Sequence, residues 1–380
     1  MKPEKLLTFL GPKDTGNPLL LSATNRPIGV IPGAGIGPEV MGAALEVLRA
    51  VETATGNRFE ILEGGPVGEE AEERFGTPLP ESVIHFCRDI FERGGAVLSG
   101  PGGGRYVYEL RRRFDLFCKF VPIRPCAELA QAGRIAASHL QNVDILIVRD
   151  NAAGVYQGEW GERVAAEGRI AHHSFNYSES QARRILEVAA RAAAGRRGTL
   201  HVILKDGGIP TISALWREVG GACARQHDVH AVFMNVDLAA YELIQNPCKF
   251  DVVAAPNLFG DILADIAGVL LATRGVTFSG NYDGQGNGVY QTNHGCAHDL
   301  AGSDTANPAG QIFSLAMLLR ESLGLDEAAS LMECALAETW REGWRTADVE
   351  EPGCRVAGTR AMGKRVATQV ARVAEAKQLA

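Results

Sequence analysis

The sequence predicts an α/β protein with two domains. Short apolar runs of strand length alternate with longer segments of helical spacing, which is typical of a sheet flanked by helices. The chain has 380 residues, and domains average roughly 150 residues. It is 46% hydrophobic and 22% charged, which is ordinary for a globular protein and excludes extensive disorder.

The first unit is a strand at 27–31, a glycine-rich turn at 32–38 and a helix at 40–51. Further apolar runs predict strands at 96–98, 144–148, 200–204, 231–233 and 250–255. Helical spacing predicts helices at 80–93, 181–194, 213–220, 258–271, 307–323 and 326–340. Because no linker or internal repeat separates these units, we expect either that the domains share a sheet or that the chain passes between them twice.

Composition disfavours several classes of protein. The formal net charge is −7, from 38 Lys and Arg against 45 Asp and Glu, so a nucleic-acid or anionic-membrane surface is not expected. The sequence contains neither an apolar stretch of membrane-spanning length nor a secretion signal. Its eight cysteines lack metal-site spacing. We therefore expect a cytoplasmic protein with reduced thiols.

Two carboxylates stand out as candidate metal ligands. Asp261 and Asp265 are four residues apart on a predicted helix, so they share one face. Apolar neighbours such as Phe259 and Ile262 suggest that this face borders a cleft, although a solvated acidic face is the alternative. Asp237 is a third acid, at the end of the strand at 231–233. Carboxylate oxygens suit Mg²⁺ or Mn²⁺.

Other polar residues follow predicted strands. Lys205 comes directly after the strand at 200–204, and Tyr156 lies in a loop after 144–148. A lysine and a tyrosine placed together can transfer a proton, although each could be structural. Arg111 begins a run of three arginines that could bind an acidic substrate. The turn at 33–37 departs from the dinucleotide fingerprint and could be a plain tight turn.

Four segments of the sequence belong together: IPGAGIGPEV at 31–40, RDNAAGVYQG at 149–158, NLFGDILAD at 257–265 and HGCAHDLAG at 294–302. Together they resemble the β-decarboxylating dehydrogenases, the isocitrate and 3-isopropylmalate dehydrogenase family. The resemblance extends from about residue 28 to 373. It implies an NAD- and Mg²⁺- or Mn²⁺-dependent oxidation of a malate-type 2-hydroxy acid, followed by loss of CO₂.

The resemblance also implies a role for each matching residue. Asp261 and Asp265 would bind the metal from one subunit, and Asp237 and Lys205 would come from its partner in a homodimer. Lys205 would take the hydroxyl proton, and Tyr156 would protonate the enol. The substrate carboxylates would be bound by Arg111, Arg149 and Arg105, and the cofactor by His294, Gly295, Asp299 and Asn307. A carboxylate at 299 favours NAD over NADP.

The family fold is not a Rossmann fold. It implies a large cofactor-binding domain from residues 27–121 and 272–380. A smaller domain at 122–271 would carry the metal and substrate site and the dimer contacts, and residues 1–26 would be an N-terminal extension.

The active-site segments differ from the family pattern in several places. Ala34 replaces an aspartate, and Val121 replaces the arginine of a Leu-Arg-Pro segment. Compensating cations could be Arg105, Arg113, Lys119 or Arg124. We therefore expect a substrate other than isocitrate or 3-isopropylmalate. Two alternatives stay open: a non-catalytic regulatory relative, and a dehydrogenase of tartrate-like substrates that releases no CO₂.

Overall fold

A large mixed sheet flanked by helices organises the protein. The computed structural model describes residues 6–10 and 26–378. Ten strands form the main sheet: β1 (Ile28–Ile31), β2 (Ile61–Glu63), β3 (Ala96–Ser99), β4 (Cys118–Ile123), β5 (Ile145–Asp150), β8 (Thr199–Leu204), β9 (His230–Asn235), β10 (Val252–Ala255), β11 (Phe278–Tyr282) and β12 (Gly288–Thr292). Two separate pairs complete the strands: β6 (Glu159–Ala165) with β7 (Gly168–Ser174), and β13 (Trp344–Arg345) with β14 (Arg355–Val356).

The helices pack on this sheet and on one another. Their bounds are α1 (Gly37–Thr55), α2 (Glu69–Phe75), α3 (Glu81–Glu92), α4 (Tyr106–Arg113), α5 (Ala137–Leu140), α6 (Glu179–Ala194), α7 (Pro210–Gln226), α8 (Val236–Gln245), α9 (Asn257–Gly268), α10 (Ala309–Glu321), α11 (Asp326–Arg341) and α12 (Thr359–Gln378). A short 3-10 helix covers Leu6–Leu10. Each helix among the described residues is too short or too polar to span a bilayer.

The order of strands in the sheet is β2-β1-β3-β12-β11-β4-β5-β10-β8-β9. Neighbours are parallel at both ends, from β2 to β12 and from β5 to β9. The three central pairings, β12–β11, β11–β4 and β4–β5, are antiparallel. The carboxyl ends of β5, β10, β8 and β9 therefore meet along one edge of the sheet, where ligands of α/β proteins gather.

The predicted elements occur in the structure with small shifts in their bounds, and a single ten-stranded sheet contains all six predicted strands. One half of the sheet comes from residues before 100 and after 277, and the other half from 118–255. The division into domains at 121/122 and 271/272 stays a prediction. The patterns did not predict the remaining strands, which are β2, β4, β6, β7, β11, β12, β13 and β14. The expectation for residues 1–26 lies mostly outside the described residues.

Candidate active site

Helix α9 brings the first group of predicted residues together. It begins at Asn257, directly after β10, and both Asp261 and Asp265 lie on it, as expected. Asp261 accepts a hydrogen bond on one carboxylate oxygen from Arg149. Its other oxygen accepts a hydrogen bond from the Tyr156 hydroxyl at 3.0 Å. Arg149 and Tyr156, both more than 100 residues earlier in the chain, thus meet at the Asp261 carboxylate.

The Arg149 side chain is held in place from several directions. Only 1% of the residue is exposed, and its Nη2 and Nε atoms donate to Asn257 Oδ1 at 2.9 and 3.3 Å. The guanidinium carbon lies 5.6 Å from the Tyr156 ring centre. Gly260 leaves room for the arginine, because a Cβ atom there would lie 2.7 Å from Arg149 Cγ. These contacts fix the direction of the guanidinium group toward Asp261.

The two aspartates of α9 have different environments. Burial alone would raise the pKa of Asp261, but Arg149, Lys119 and other nearby cations lower it below its ordinary value. Burial raises the pKa of Asp265, and Arg274 opposes that shift through an ion pair of 2.9 Å. Asp261 is therefore the more firmly ionised group. Among the described residues of one chain, no three acidic, histidine or cysteine side chains form a metal site.

Two further cations lie buried beside Arg149. Arg111 on α4 is 5% exposed and Lys119 on β4 is 4% exposed. Burial, followed by repulsion from Arg149, lowers the pKa of Arg111 to about 9. Burial and repulsion from Arg111 and Arg149 lower the pKa of Lys119 well below its ordinary value. Arg111 Nε is buried without a hydrogen-bond partner, so this region is suited to an anionic ligand.

Lys205 and Asp237 form a second constellation. They follow the carboxyl ends of β8 and β9, and Lys205 Nζ lies 2.8 Å from Asp237 Oδ1. The hydrogen bond from Lys205 lowers the pKa of the Asp237 carboxyl. Within one chain these residues pair with each other rather than with Asp261.

Arg105 lies against aromatic rings rather than in the buried cation group. Its guanidinium carbon is 4.3 Å from the ring centre of Trp160 and 5.3 Å from that of Tyr108. Its Nη2 atom reaches the Tyr156 carbonyl oxygen at 3.5 Å. The side chain is 42% exposed, so Arg105 stands at the margin of the site.

The glycine turn packs against the predicted cofactor loop. Ile36 N donates to Cys296 O at 2.9 Å. Gly35 has φ +59°, and a Cβ atom there would lie 2.0 Å from Cys296 O. The turn therefore requires glycine because the two backbones approach closely. This contact orients the loop that carries His294 and Gly295.

The remaining cofactor candidates lie along the same loop. His294 Nδ1 is 3.0 Å from Gly295 O, and burial lowers the pKa of this histidine. Asp299 is exposed, so its carboxylate is accessible to a ligand. Asn307 accepts a hydrogen bond from Ala309 N at 3.0 Å at the start of α10. The loop thus presents polar groups beside a fixed backbone turn.

Fold and site together define an α/β protein in which buried cations gather beside two aspartates, near the carboxyl ends of β5 and β10. The family model described as "Isocitrate/isopropylmalate dehydrogenase" matches residues 27–366. The chain belongs to the isocitrate/isopropylmalate dehydrogenase family.

Individual relatives agree with this assignment. The chain is 36% identical to a 3-isopropylmalate dehydrogenase of Geobacillus kaustophilus, over 91% of this chain and 96% of the relative. It is also 36% identical to a 3-isopropylmalate dehydrogenase of Burkholderia thailandensis, over 89% of this chain and 98% of the relative. The crystal structure of isocitrate dehydrogenase from Methylococcus capsulatus superposes with a TM-score of 0.81 at 28% identity, covering 91% of this chain and 99% of that one. The predicted family and fold class are confirmed.

Proposed function

We propose that this protein is an NAD- and Mg²⁺- or Mn²⁺-dependent dehydrogenase that oxidises a malate-type 2-hydroxy acid and releases CO₂. The observation that carries the proposal is the junction of Arg149, Tyr156 and Asp261, where a proton donor, a carboxylate and a buried cation meet. The names of the relatives, 3-isopropylmalate and isocitrate dehydrogenases, support a hydroxy acid as the substrate class.

The residues of α9 fit a hard divalent cation. Asp261 and Asp265 supply carboxylate oxygens from one helix face, and their side chains are 40% and 45% exposed. Asp261 is paired with Arg149 and Asp265 with Arg274, so this helix face is complemented by positive charge. Oxygen donors of this kind suit Mg²⁺ and Mn²⁺. A bound divalent ion would act as a Lewis acid and stabilise the negative charge that develops on the substrate oxygen.

The cofactor would lie along the loop of His294, Gly295, Asp299 and Asn307. When bound, NAD would accept the hydride from the hydroxyl-bearing carbon. The exposed Asp299 carboxylate can accept hydrogen bonds from ribose hydroxyls and would repel a phosphate at that place. This favours NAD over NADP.

The protein's own residues would move the protons. Lys205 takes the proton of the substrate hydroxyl as the hydride leaves, with Asp237 stabilising the ammonium that forms. Arg111 and Arg149 bind the substrate carboxylates. After the carbon–carbon bond breaks and CO₂ departs, the Tyr156 hydroxyl donates a proton to the carbon.

Lys205 and Asp237 would act on the site of a second copy of this chain. An exposed apolar surface runs beside them on α8 and α9, where Leu238 and Tyr241 are 50% and 60% exposed and Ile262 is 47% exposed. Apolar surface of this kind favours association. A homodimer across this surface would bring Asp237 of one copy to Asp261 and Asp265 of the other.

The test is NAD reduction by the purified protein with Mn²⁺ and a panel comprising D-malate, 3-isopropylmalate, isocitrate and tartrate. We expect turnover that EDTA abolishes and that Asp261→Asn reduces by roughly 10²-fold or more, with CO₂ released in equal amount to NADH. Formation of NADH without release of CO₂ would mean that the protein oxidises the hydroxy acid without decarboxylating it. Absence of turnover with every compound would favour a non-catalytic relative.

A further inference from the structure

Three buried cations converge beside Asp261, and only Arg149 has a side-chain hydrogen bond or ion pair with the described residues. Arg149 donates to Asp261 and Asn257. Arg111 keeps one unpartnered buried nitrogen atom. The Lys119 ammonium group likewise has neither a hydrogen bond nor an ion pair with any residue within 6–10 and 26–378.

The strand register explains how Lys119 reaches this place. Lys119 on β4 is directly opposite Arg149 on β5, and on its other side it is opposite Asn281 on β11. Residues that are directly opposite in an antiparallel pair have Cβ atoms about 4.5–5.5 Å apart and point to the same face. The Lys119 and Arg149 side chains therefore extend from neighbouring strands on the same side of the sheet as the candidate active site.

Val121 continues this face two residues further along β4, opposite Ile147. Both are fully buried and apolar, and two strand residues span about 6.6 Å. The charged part of this face therefore ends at Lys119 and Arg149. No cation occupies position 121, and the ammonium group of Lys119 is the charge that β4 supplies.

The other cations considered as replacements are engaged elsewhere. Arg113 pairs with Glu81 at 3.3 Å and Arg124 with Asp144 at 2.9 Å, both at the surface. Arg105 stacks on Trp160 at the margin of the site. Of the four, only Lys119 is buried next to Arg111 and Arg149.

Lys119 is only 4% exposed, and holding its ammonium group beside Arg111 and Arg149 without a partner is costly, so an apolar side chain of similar length would suit the position better. Charged residues are almost never fully buried unless paired. The two carboxylates that attract Lys119, Asp261 and Asp265, already pair with arginines. An anionic ligand would supply the missing partner.

We propose that Lys119 is a substrate-binding residue whose ammonium group, together with Arg111 and Arg149, binds a carboxylate of the hydroxy acid and thereby sets the substrate specificity. This inference rests on the proposed function for the identity of the substrate. The site then selects a 2-hydroxy acid with at least two carboxylates, because Arg111, Lys119 and Arg149 carry three charges against the one of Asp261. A lysine gives a single compact charge where an arginine would grip both carboxylate oxygens, so the preferred substrate differs from that of relatives with arginine at position 121.

The experiment compares wild type with Lys119→Met, Lys119→Arg and the control Arg124→Met, which removes a surface cation paired with Asp144 just beyond the same strand. Steady-state kinetics use the best substrate of the panel. We expect Lys119→Met to raise KM by about 10- to 100-fold, as for loss of one charged hydrogen bond, with kcat changed by less than about threefold. Lys119→Arg should retain part of the affinity, and Arg124→Met should resemble wild type.

Two further measurements separate a binding role from a structural one. In calorimetry, D-malate should lose affinity in Lys119→Met, whereas one of its two monoamides, the one that lacks the carboxylate bound by Lys119, should bind wild type and variant within about threefold of each other. The melting temperature of Lys119→Met should equal or exceed that of wild type, because an unpaired charge held beside two other cations is removed. A lower melting temperature with unchanged KM and unchanged malate affinity would overturn the proposal.

The calorimetry also keeps this inference separate from the proposed function. If the wild type oxidised none of the panel but D-malate bound it and lost affinity in Lys119→Met, the function would fail and the role of Lys119 would stand. If turnover were found and Lys119→Met had the wild-type KM and malate affinity, the role of Lys119 would fail and the function would stand.

Discussion

If each active site is shared between two subunits, two inactive variants should recover activity when they form a mixed dimer. Asp237→Asn and Asp261→Asn should each lower turnover by roughly 10²-fold or more, because each removes a carboxylate of the proposed metal site. In a heterodimer of the two variants, one site combines the intact Asp261 of one chain with the intact Asp237 of the other. The other site of the heterodimer contains both substitutions and is inactive.

The expected magnitude follows from this arrangement. Random pairing of equal amounts gives about one half heterodimers, each with one intact site of two, so about a quarter of wild-type activity should return. The assay is NAD reduction after the two variants are co-expressed, or unfolded and refolded together, with separately refolded variants as the baseline.

A matched control uses two defects on the same side of the interface. Asp261→Asn mixed with Asp265→Asn should recover nothing, because every site in every dimer then lacks one α9 carboxylate. Failure of the first mixture to recover activity, under conditions where wild type refolds, would refute the shared site. The pairing of Lys205 with Asp237 at 2.8 Å would then belong to a role within one chain.

The structure makes three further predictions. Arg149→Met should lower kcat/KM by roughly 10²-fold or more in steady-state assays, because it removes a charged, forked donor from the substrate and from α9; an unchanged value would contradict its substrate role. Gly35→Ala should raise KM for NAD more than KM for the hydroxy acid, because its Cβ would lie 2.0 Å from Cys296 O, whereas Gly42→Ala, which meets nothing within 4 Å, should leave both constants unchanged. Burial lowers the pKa of His201 from 6.5 to about 4, so the folded protein favours the neutral imidazole. The free energy of unfolding should therefore be highest above pH 6.5 and should fall by about 3 kcal/mol as the pH falls toward 4. Urea titrations of His201→Gln should lack this part of the pH dependence.

The local features of the site were predictable from the sequence because they depend on short spacing. The apolar pattern at 258–271 predicted a helix, and α9 occupies Asn257–Gly268. The four-residue interval between Asp261 and Asp265 placed both carboxylates on one face. The strands before Lys205 and Asp237 were likewise visible as apolar runs.

The contacts of those residues depend on distant parts of the chain. Asp261 meets Arg149, which is 112 residues earlier, and no spacing rule joins them. Asn257 accepts hydrogen bonds from Arg149, and Arg274 forms an ion pair with Asp265. The pattern of residues predicted neither contact. A glycine at 260 beside an aspartate was a possible signal, since glycine within a helix often marks a close approach.

Lys119 illustrates why the anion site itself was difficult to predict. Residues 118–123 contain a lysine and a proline, so they do not follow the apolar alternation of a strand. Ligands of α/β proteins gather at the carboxyl ends of the strands, so a residue at the start of a strand would ordinarily be expected at the opposite edge of the sheet. Strand β4, however, runs antiparallel to β5, so its first residues lie beside the last residues of β5. The reversal of direction at the centre of the sheet therefore places Lys119 beside Arg149, near the carboxyl end of β5. A buried charge that departs from the local apolar pattern is the kind of signal expected at a functional position.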